Sequence, residues 1–313
     1  MKQIIKKGFI FSIPFILIFI FLEIRLSQVP TYLSQKKEYL KSQLSEIEVL
    51  STGLSYGNSI NPQFIDLKAF NLFNDAEDIY YDVKVIEKYL DQMPRLKLVI
   101  LPIAYFSLEY RLDQGPWAWR APFYKFTFKI LPQDHLSLLK PDFYFYTFAY
   151  GWLEVQNYIK SGFASKITNV LHEDGWREIG TQGIIDSKES DRFGWQSAEF
   201  YETHLMNPKN ISSEIQLLSS FIEKCQKKQI KVILITPPVF HNLYDHIDPI
   251  KYERMQAIIN SIANKYQIPY FNFLKDERFN AADFYSIDHV NNLGAEKFSR
   301  IINEIINYEL NEK

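Results

Sequence analysis

The chain has 313 residues, 47% of them hydrophobic, enough to bury one large core or two ordinary ones. A formal net charge of −2 with no block of like charges leaves no electrostatic footprint for nucleic acid. A single cysteine excludes an internal disulfide and a thiolate metal cluster. That residue, Cys225, falls on a helical pattern and reads as a buried structural thiol.

Lys2, Lys6 and Lys7 precede an uncharged run from Gly8 to Leu22. Ile4 and Ile5 extend the run, and the lysines can snorkel to an interface. The flank from Glu23 to Pro30 lacks a small-x-small cleavage pattern. Residues 1–30 are therefore expected to form a short cytoplasmic tip and an uncleaved transmembrane anchor. Positive charge before the span predicts that the rest of the chain is extracytoplasmic, periplasmic or at the cell surface. Residues 31–46 are polar with partial helical spacing at Leu33, Tyr39, Leu40 and Leu44, which predicts a helical stalk.

From residue 47 to 313 apolar strands alternate with helical patterns. The predicted strands are Ile47–Ser51, Lys68–Leu72, Leu96–Ile103, Ile230–Thr236 and Ile268–Phe273. The predicted helices are Ala76–Met93, Ser212–Lys228, Ile250–Tyr266 and Leu293–Tyr308. This alternation predicts an α/β fold with a doubly wound parallel sheet. Residues 110–210 interrupt it between the third and fourth strands and hold all five Trp residues. A stretch of that length is not a structureless loop, and it is expected to be a mostly helical insertion packed over the catalytic edge of the sheet.

Two short stretches carry the chemistry. Gly53-Leu54-Ser55 follows the first strand, where a tight turn can hold a hydroxyl clear of the backbone. Asp288-His289-Val290-Asn291-Asn292-Leu293-Gly294-Ala295 precedes the last helix and places a His in the preceding loop. In a parallel sheet both would reach the carboxyl edge, where such folds place their sites. A Ser beside a His there is the arrangement of nucleophilic acyl transfer, with His289 as base toward Ser55 and then as acid toward the leaving group. Trp119, Arg120 and Tyr105 are candidates to bind substrate, since sugar faces stack on aromatic rings and Arg binds anionic groups. The other His residues show no ligand spacing, and no metal or other cofactor is expected.

Together the two stretches resemble the SGNH/GDSL hydrolase superfamily. Gly53-Leu54-Ser55 stands where that family has Gly-Asp-Ser, and the His289 block resembles its final block. The resemblance implies a three-layer αβα, flavodoxin-like sheet of five parallel strands in the order 2-1-3-4-5, and a Ser nucleophile activated by His. The chain departs from the family pattern at two places. Three residues before the His, where an acid is usual, stands Ser286, which leaves Asp288 or Asp283 to orient the imidazole. The usual oxyanion Gly and Asn are missing, leaving the Ser55 N–H, with Asn74 and Ser107 as further candidate donors.

A membrane anchor on such a domain also resembles a narrower group. It includes the D-alanyl transfer protein of lipoteichoic acid synthesis and the envelope polymer O-acyltransferases. That likeness implies an acylated small molecule or polysaccharide as substrate and a membrane-bound O-acyltransferase as partner. The alternative is a non-catalytic envelope protein that uses the same cleft to bind polysaccharide or that partner.

Overall fold

The computed structural model describes Lys2–Asn311. In chain order its helices are α1 (Lys2–Ser27), α2 (Tyr32–Gln43), α3 (Ile79–Tyr89), α4 (Ala121–Phe128), α5 (Tyr146–Tyr150), α6 (Trp152–Lys160), α7 (Lys188–Phe200), α8 (Ile211–Lys227), α9 (His241–Tyr244), α10 (Pro249–Tyr266) and α11 (Asn292–Asn311). Its strands are β1 (Val49–Ser51), β2 (Ala69–Asn71), β3 (Leu98–Pro102), β4 (Lys231–Thr236), β5 (Tyr270–Asn272), β6 (Phe284–Ser286) and β7 (His289–Val290).

The chain divides into two compact units, one of residues 1–35 with 119–168, the other of 36–118 with 169–313. The division runs through the expected insertion. Its part with α4 to α6 groups with the N-terminal helix, and its part with α7 groups with the sheet. Between α6 and α7 the chain is mostly extended or turning rather than helical, with a short bridge from Leu171 to Arg177.

The larger unit is built on a five-stranded sheet in the order β2-β1-β3-β4-β5, every neighbouring pair parallel. In this register Leu50 lies between Phe70 and Val99, and Ile233 pairs with Ile100. Alternate residues face opposite sides. Val49, Leu98, Ile100, Ile233 and Ile235 pack with Phe298, Ile302 and Ile306 of α11. Helix α8 packs on both α3 and α10, with α8 also against β4 and α10 against β5. The strand order reverses between β1 and β3, so the crevice of the sheet opens at the carboxyl ends of these two strands.

Capping trims the expected helices. Asp78 accepts the Tyr81 N–H and starts α3 at Ile79 rather than at Ala76. The α3 helix then closes in a 3₁₀ turn, Leu90–Gln92. The loop expected around His289 is instead a short antiparallel pair, with β6 joined to β7.

In the smaller unit, Ile5–Ser27 of α1 is long and apolar enough to cross a membrane. Leu26 and Val29 bury against Val155 and Tyr158. Phe19 meets the rings of Phe145 and Phe148 at 5.4 and 6.4 Å. The Glu23 carboxylate accepts the Tyr146 N–H at 2.7 Å, the Thr147 N–H at 2.8 Å and the Thr147 hydroxyl at 2.6 Å. It thereby caps the first turn of α5, a place where anions are favoured.

Candidate active site

The turn after β1 is shaped by backbone geometry. Gly53 has φ +110°, and a Cβ there would stand 3.0 Å from the Pro102 side chain at the end of β3. Asp82 of α3 accepts the Gly53 N–H at 2.9 Å and the Thr52 hydroxyl at 2.5 Å. Burial pushes the Asp82 carboxyl up to about 6, against the opposing pull of these bonds. Past Leu54 the chain enters a 3₁₀ helix, Ser55–Ser59. Asn71, fully buried at the end of β2, holds it: its amide donates to the carbonyls of Gly57 at 2.9 Å and Ile60 at 2.5 Å. Gly57 is required here, since a Cβ would stand 2.4 Å from the Thr52 carbonyl oxygen.

This places Ser55, half-buried, at the first position of the turn. Leu54 supplies no capping side chain. Among the described residues, the Ser55 and Tyr56 N–H groups have no backbone acceptor.

The second stretch arrives from the other end of the chain. Asn291, fully buried, accepts the N–H groups of Leu293 and Gly294 and so starts α11. Its amide donates to the Ala282 carbonyl at 2.7 Å. Gly294 allows α11 to pass the Asp283 carbonyl, which would lie 2.1 Å from a Cβ. The Asn and Gly of this block therefore fix where β7 begins, and β7 begins with His289.

Asp288 orients the imidazole, with Oδ1 2.7 Å from His289 Nδ1. The Ser286 hydroxyl donates to the same Asp288 oxygen at 2.6 Å and lies 3.2 Å from Nδ1. The Tyr201 hydroxyl donates to the other oxygen. Burial works to raise the Asp288 pKa. The His289 charge and the bonds from His289, Ser286 and Tyr201 outweigh it and hold the carboxyl far below the usual range. For His289, burial lowers the pKa, but the charge and hydrogen bond of Asp288 win and the net shift is upward. Asp75 and Arg177 also act on His289 by charge, in opposite senses. Asp283, the other candidate acid, is engaged elsewhere, by Lys297 at 2.6 Å and the Asn280 N–H at 3.0 Å.

Ser55 and His289 line one cavity of about 10 Å³, with Tyr56, Asn58, Ser59, Pro237 and Pro238. That is room for roughly one water molecule. His289 Nε2 is buried without a hydrogen-bond partner, so no bond joins it to the Ser55 hydroxyl. The Ser59 hydroxyl is likewise buried and unpartnered. The Tyr56 ring lies against the imidazole, with centroids 5.1 Å apart. Asp288 and Ser286 also border a larger groove of about 880 Å³. Its other walls include Gly180, Gln182, Phe193 and Tyr285.

Several sequence candidates stand elsewhere. Tyr105 is buried, packed on Phe106 and Tyr201, and presents no surface to a substrate. The Ser107 hydroxyl accepts the Ala104 N–H at 2.9 Å and closes a turn. The Asn74 N–H donates to the Gly53 carbonyl at 3.2 Å, which sets it beside the Ser55 turn. Trp119 and Arg120 belong to the smaller unit, with the guanidinium 4.9 Å from the indole centroid. Trp176 is buried and donates to the Asn58 carbonyl at 2.9 Å. Arg177 forms a two-pronged pair with Asp75 at 2.8 and 2.6 Å.

Sequence reasoning missed Tyr201, Asn71 and Asp82. Tyr201 opens a single π turn at the end of α7, a helix with no counterpart in the plain strand–helix alternation.

No family profile and no curated protein matches the chain. Among solved structures it is similar to a protein of Bacteroides fragilis described as an acylhydrolase, at 13% identity over 91% of this chain and 98% of that one, with a TM-score of 0.43. A GDSL-like lipase of Bacteroides thetaiotaomicron is similar at 11% identity, covering 88% and 99% of the two chains, with a TM-score of 0.44. A carbohydrate acetylesterase of Sinorhizobium meliloti follows at 9% identity, 84% and 99% coverage, and a TM-score of 0.37.

Proposed function

We propose that the protein is a serine-dependent acyl-ester hydrolase or O-acyltransferase of SGNH type, acting on an envelope or extracellular polysaccharide. One observation carries this reading: an imidazole held by Asp288, its Nε2 buried and unpartnered, lines the same cavity as Ser55. The Ser55 oxygen attacks the ester carbonyl while its proton passes to Nε2. The Ser55 and Tyr56 N–H groups, without backbone acceptors among the described residues, are the proposed donors to the negative charge on the carbonyl oxygen. Collapse forms the Ser55 ester and breaks the bond to the alcohol, which leaves with the proton from Nε2. Water or a sugar hydroxyl then gives up its proton to Nε2 and attacks the Ser55 ester; the acyl bond to Ser55 breaks and Ser55 takes the proton back from Nε2.

The groove of about 880 Å³ beside Asp288 is the proposed acceptor site, with the exposed rings of Phe193 and Tyr285 as stacking faces. Helix α1 is proposed to anchor the protein in the membrane with the sheet unit outside the cytoplasm. A membrane-bound O-acyltransferase is the proposed donor partner.

A second reading is favoured by a different observation. The cavity leaves room for about one water molecule and the Ser55 hydroxyl is not bonded to His289. A non-catalytic polysaccharide-binding protein would show the same. The two readings separate by acyl-enzyme trapping on the full chain in detergent. Intact mass is read after a fluorophosphonate and after p-nitrophenyl acetate. Labelling that Ser55→Ala and His289→Ala abolish and Ser59→Ala leaves in place establishes the nucleophile and its base. An unlabelled wild type supports the binding protein.

A further inference from the structure

The smaller unit carries an unusual surface. Among the described residues, ten large apolar side chains are exposed within 119–168, against eight in the whole of the larger unit. Leu139 and Leu153 are 83% and 78% exposed, and Trp152 is 66% exposed. Trp119, Tyr144, Phe145 and Phe148 are exposed too. A soluble surface does not normally concentrate apolar groups in this way, and such a patch marks an interface.

The patch is continuous with α1. Phe145 and Phe148 rest on Phe19. Phe19 lies about 12 Å along the helix from its end at Ser27, at 1.5 Å per residue. A hydrocarbon core is about 30 Å thick. If α1 spans, these rings stand at the level of the acyl chains. Glu23 lies between Phe19 and that end. A carboxylate at that depth is costly unless paired, and here it is fully engaged by Tyr146 and Thr147. The insertion thus supplies what Glu23 needs in order to sit in a span. The same segment carries Arg120, Lys125, Lys129, Lys140, Lys160 and Lys166 against Asp134, Asp142 and Glu154, a positive balance that suits anionic headgroups. Its Trp and Tyr residues are the types enriched at membrane interfaces.

We propose that residues 119–168 form a membrane-embedded collar around the last third of α1, with Leu136, Leu139, Phe145, Phe148, Trp152 and Leu153 in contact with lipid of the leaflet nearest Ser27. The proposal rests on the reading of α1 as a membrane span. The occupant is the bilayer and not a protein, because the patch continues the lipid-facing surface of α1 and adds the charge and aromatic composition of an interface.

The test uses the full chain in phosphatidylcholine–phosphatidylglycerol vesicles that contain nitroxide-labelled lipid. An environment-sensitive fluorophore is placed at Leu139→Cys, Leu153→Cys, Leu17→Cys and Lys265→Cys, one per protein. Cys225 is buried and stays unlabelled under native conditions. Leu17 reports the span, and exposed Lys265 is the aqueous reference. Quenching at Leu139 and Leu153 at least two-fold above Lys265 is the expected result. Quenching at Leu17 with none at the two collar sites overturns the collar and leaves the span. Quenching at the collar sites with none at Leu17 removes the span on which the collar depends and overturns the proposal. Collar sites unquenched in vesicles but shielded in native membranes would assign the face to a protein and overturn the proposal.

Discussion

Asp288 and His289 are consecutive in the chain, yet their side chains meet at 2.7 Å. Neighbours on a single strand point to opposite faces. These two meet because Asp288 ends the turn between β6 and β7 and His289 is the first residue of β7. Ser286 closes the arrangement by donating to the carboxylate.

The upward shift of His289 sets a pH dependence. The imidazole serves as a base only when neutral. Ester hydrolysis is therefore expected to rise with pH along a limb above 6.5, the ordinary His value. Asp288→Asn removes the charge that raises it, so the limb should move to lower pH. The plateau rate should fall by about 10²–10⁴, the usual size of a general acid–base contribution. A profile of kcat/KM against pH for both proteins checks the two effects.

Asp82 supports the Ser55 turn without touching the cavity. Asp82→Ala leaves the Gly53 N–H and the Thr52 hydroxyl without their buried acceptor, which should cost about 1–3 kcal/mol and slow acylation of Ser55. Asp82→Asn keeps an acceptor. The native carboxyl has its pKa raised to about 6, so between about 4 and 6 the folded state holds more protons than the unfolded one. Stability should fall as pH rises through that window in the wild type, and Asp82→Asn should lack this slope. Denaturant titrations at pH 4 and 6 read it.

Lys36 runs in the opposite sense. Burial and the nearby Arg177 charge lower its pKa to about 7. Between about 7 and 10.5 the unfolded chain holds a proton that the folded one has released, so stability should climb with pH across that window. Lys36→Met should remove the climb, in the same titrations run at pH 7, 8.5 and 10.

Gly294→Ala should be among the more damaging small changes in the chain. Its Cβ would meet the Asp283 carbonyl oxygen at 2.1 Å and the Val290 Cβ at 2.9 Å. Overpacking of this kind costs about 1–3 kcal/mol. It would also displace the segment that carries His289, so melting temperature and activity should fall together.

Tyr285→Ala tests the groove. The ring is exposed and makes no bond to the Asp288–His289 pair. Loss of a stacking face should raise KM for a polysaccharide ester several-fold and leave kcat and small-ester hydrolysis unchanged.

Much of this was legible in the sequence because the physics was local. The apolar runs that became β3 and β4 read as buried strands, and Gly53 before Ser55 permitted a tight or positive-φ turn. The His289 block was readable because Asn291 and Gly294 do jobs that few other residues can do. The misreadings share a cause. Tyr105 and Ser107 follow β3 and so reach the right edge, but side-chain direction is decided by packing that no periodicity encodes. Tyr201 and Asp82 act through partners more than two dozen residues away. The β6–β7 pair has a turn of Ile287 and Asp288, which carries none of the Gly or Asn signals of a hairpin. The N-terminal apolar run seemed to stop at Leu22 because Glu23 is charged, whereas the helix continues to Ser27 with that charge satisfied by another segment.

The Glu23 contacts bear on how this protein can be handled and matured. A leader peptide is disposable because nothing in the finished fold leans on it. Here Glu23 of the first helix lends a carboxylate to α5, and Leu26 and, just past the helix, Val29 pack on Val155 and Tyr158. Trimming the chain after Pro30, by a protease or by a cloning choice, would leave two amide groups without their acceptor and open a small core to water. Glu23, Leu26 and Val29 carry these contacts, and a shortened version would have to begin before Glu23 or replace what it holds.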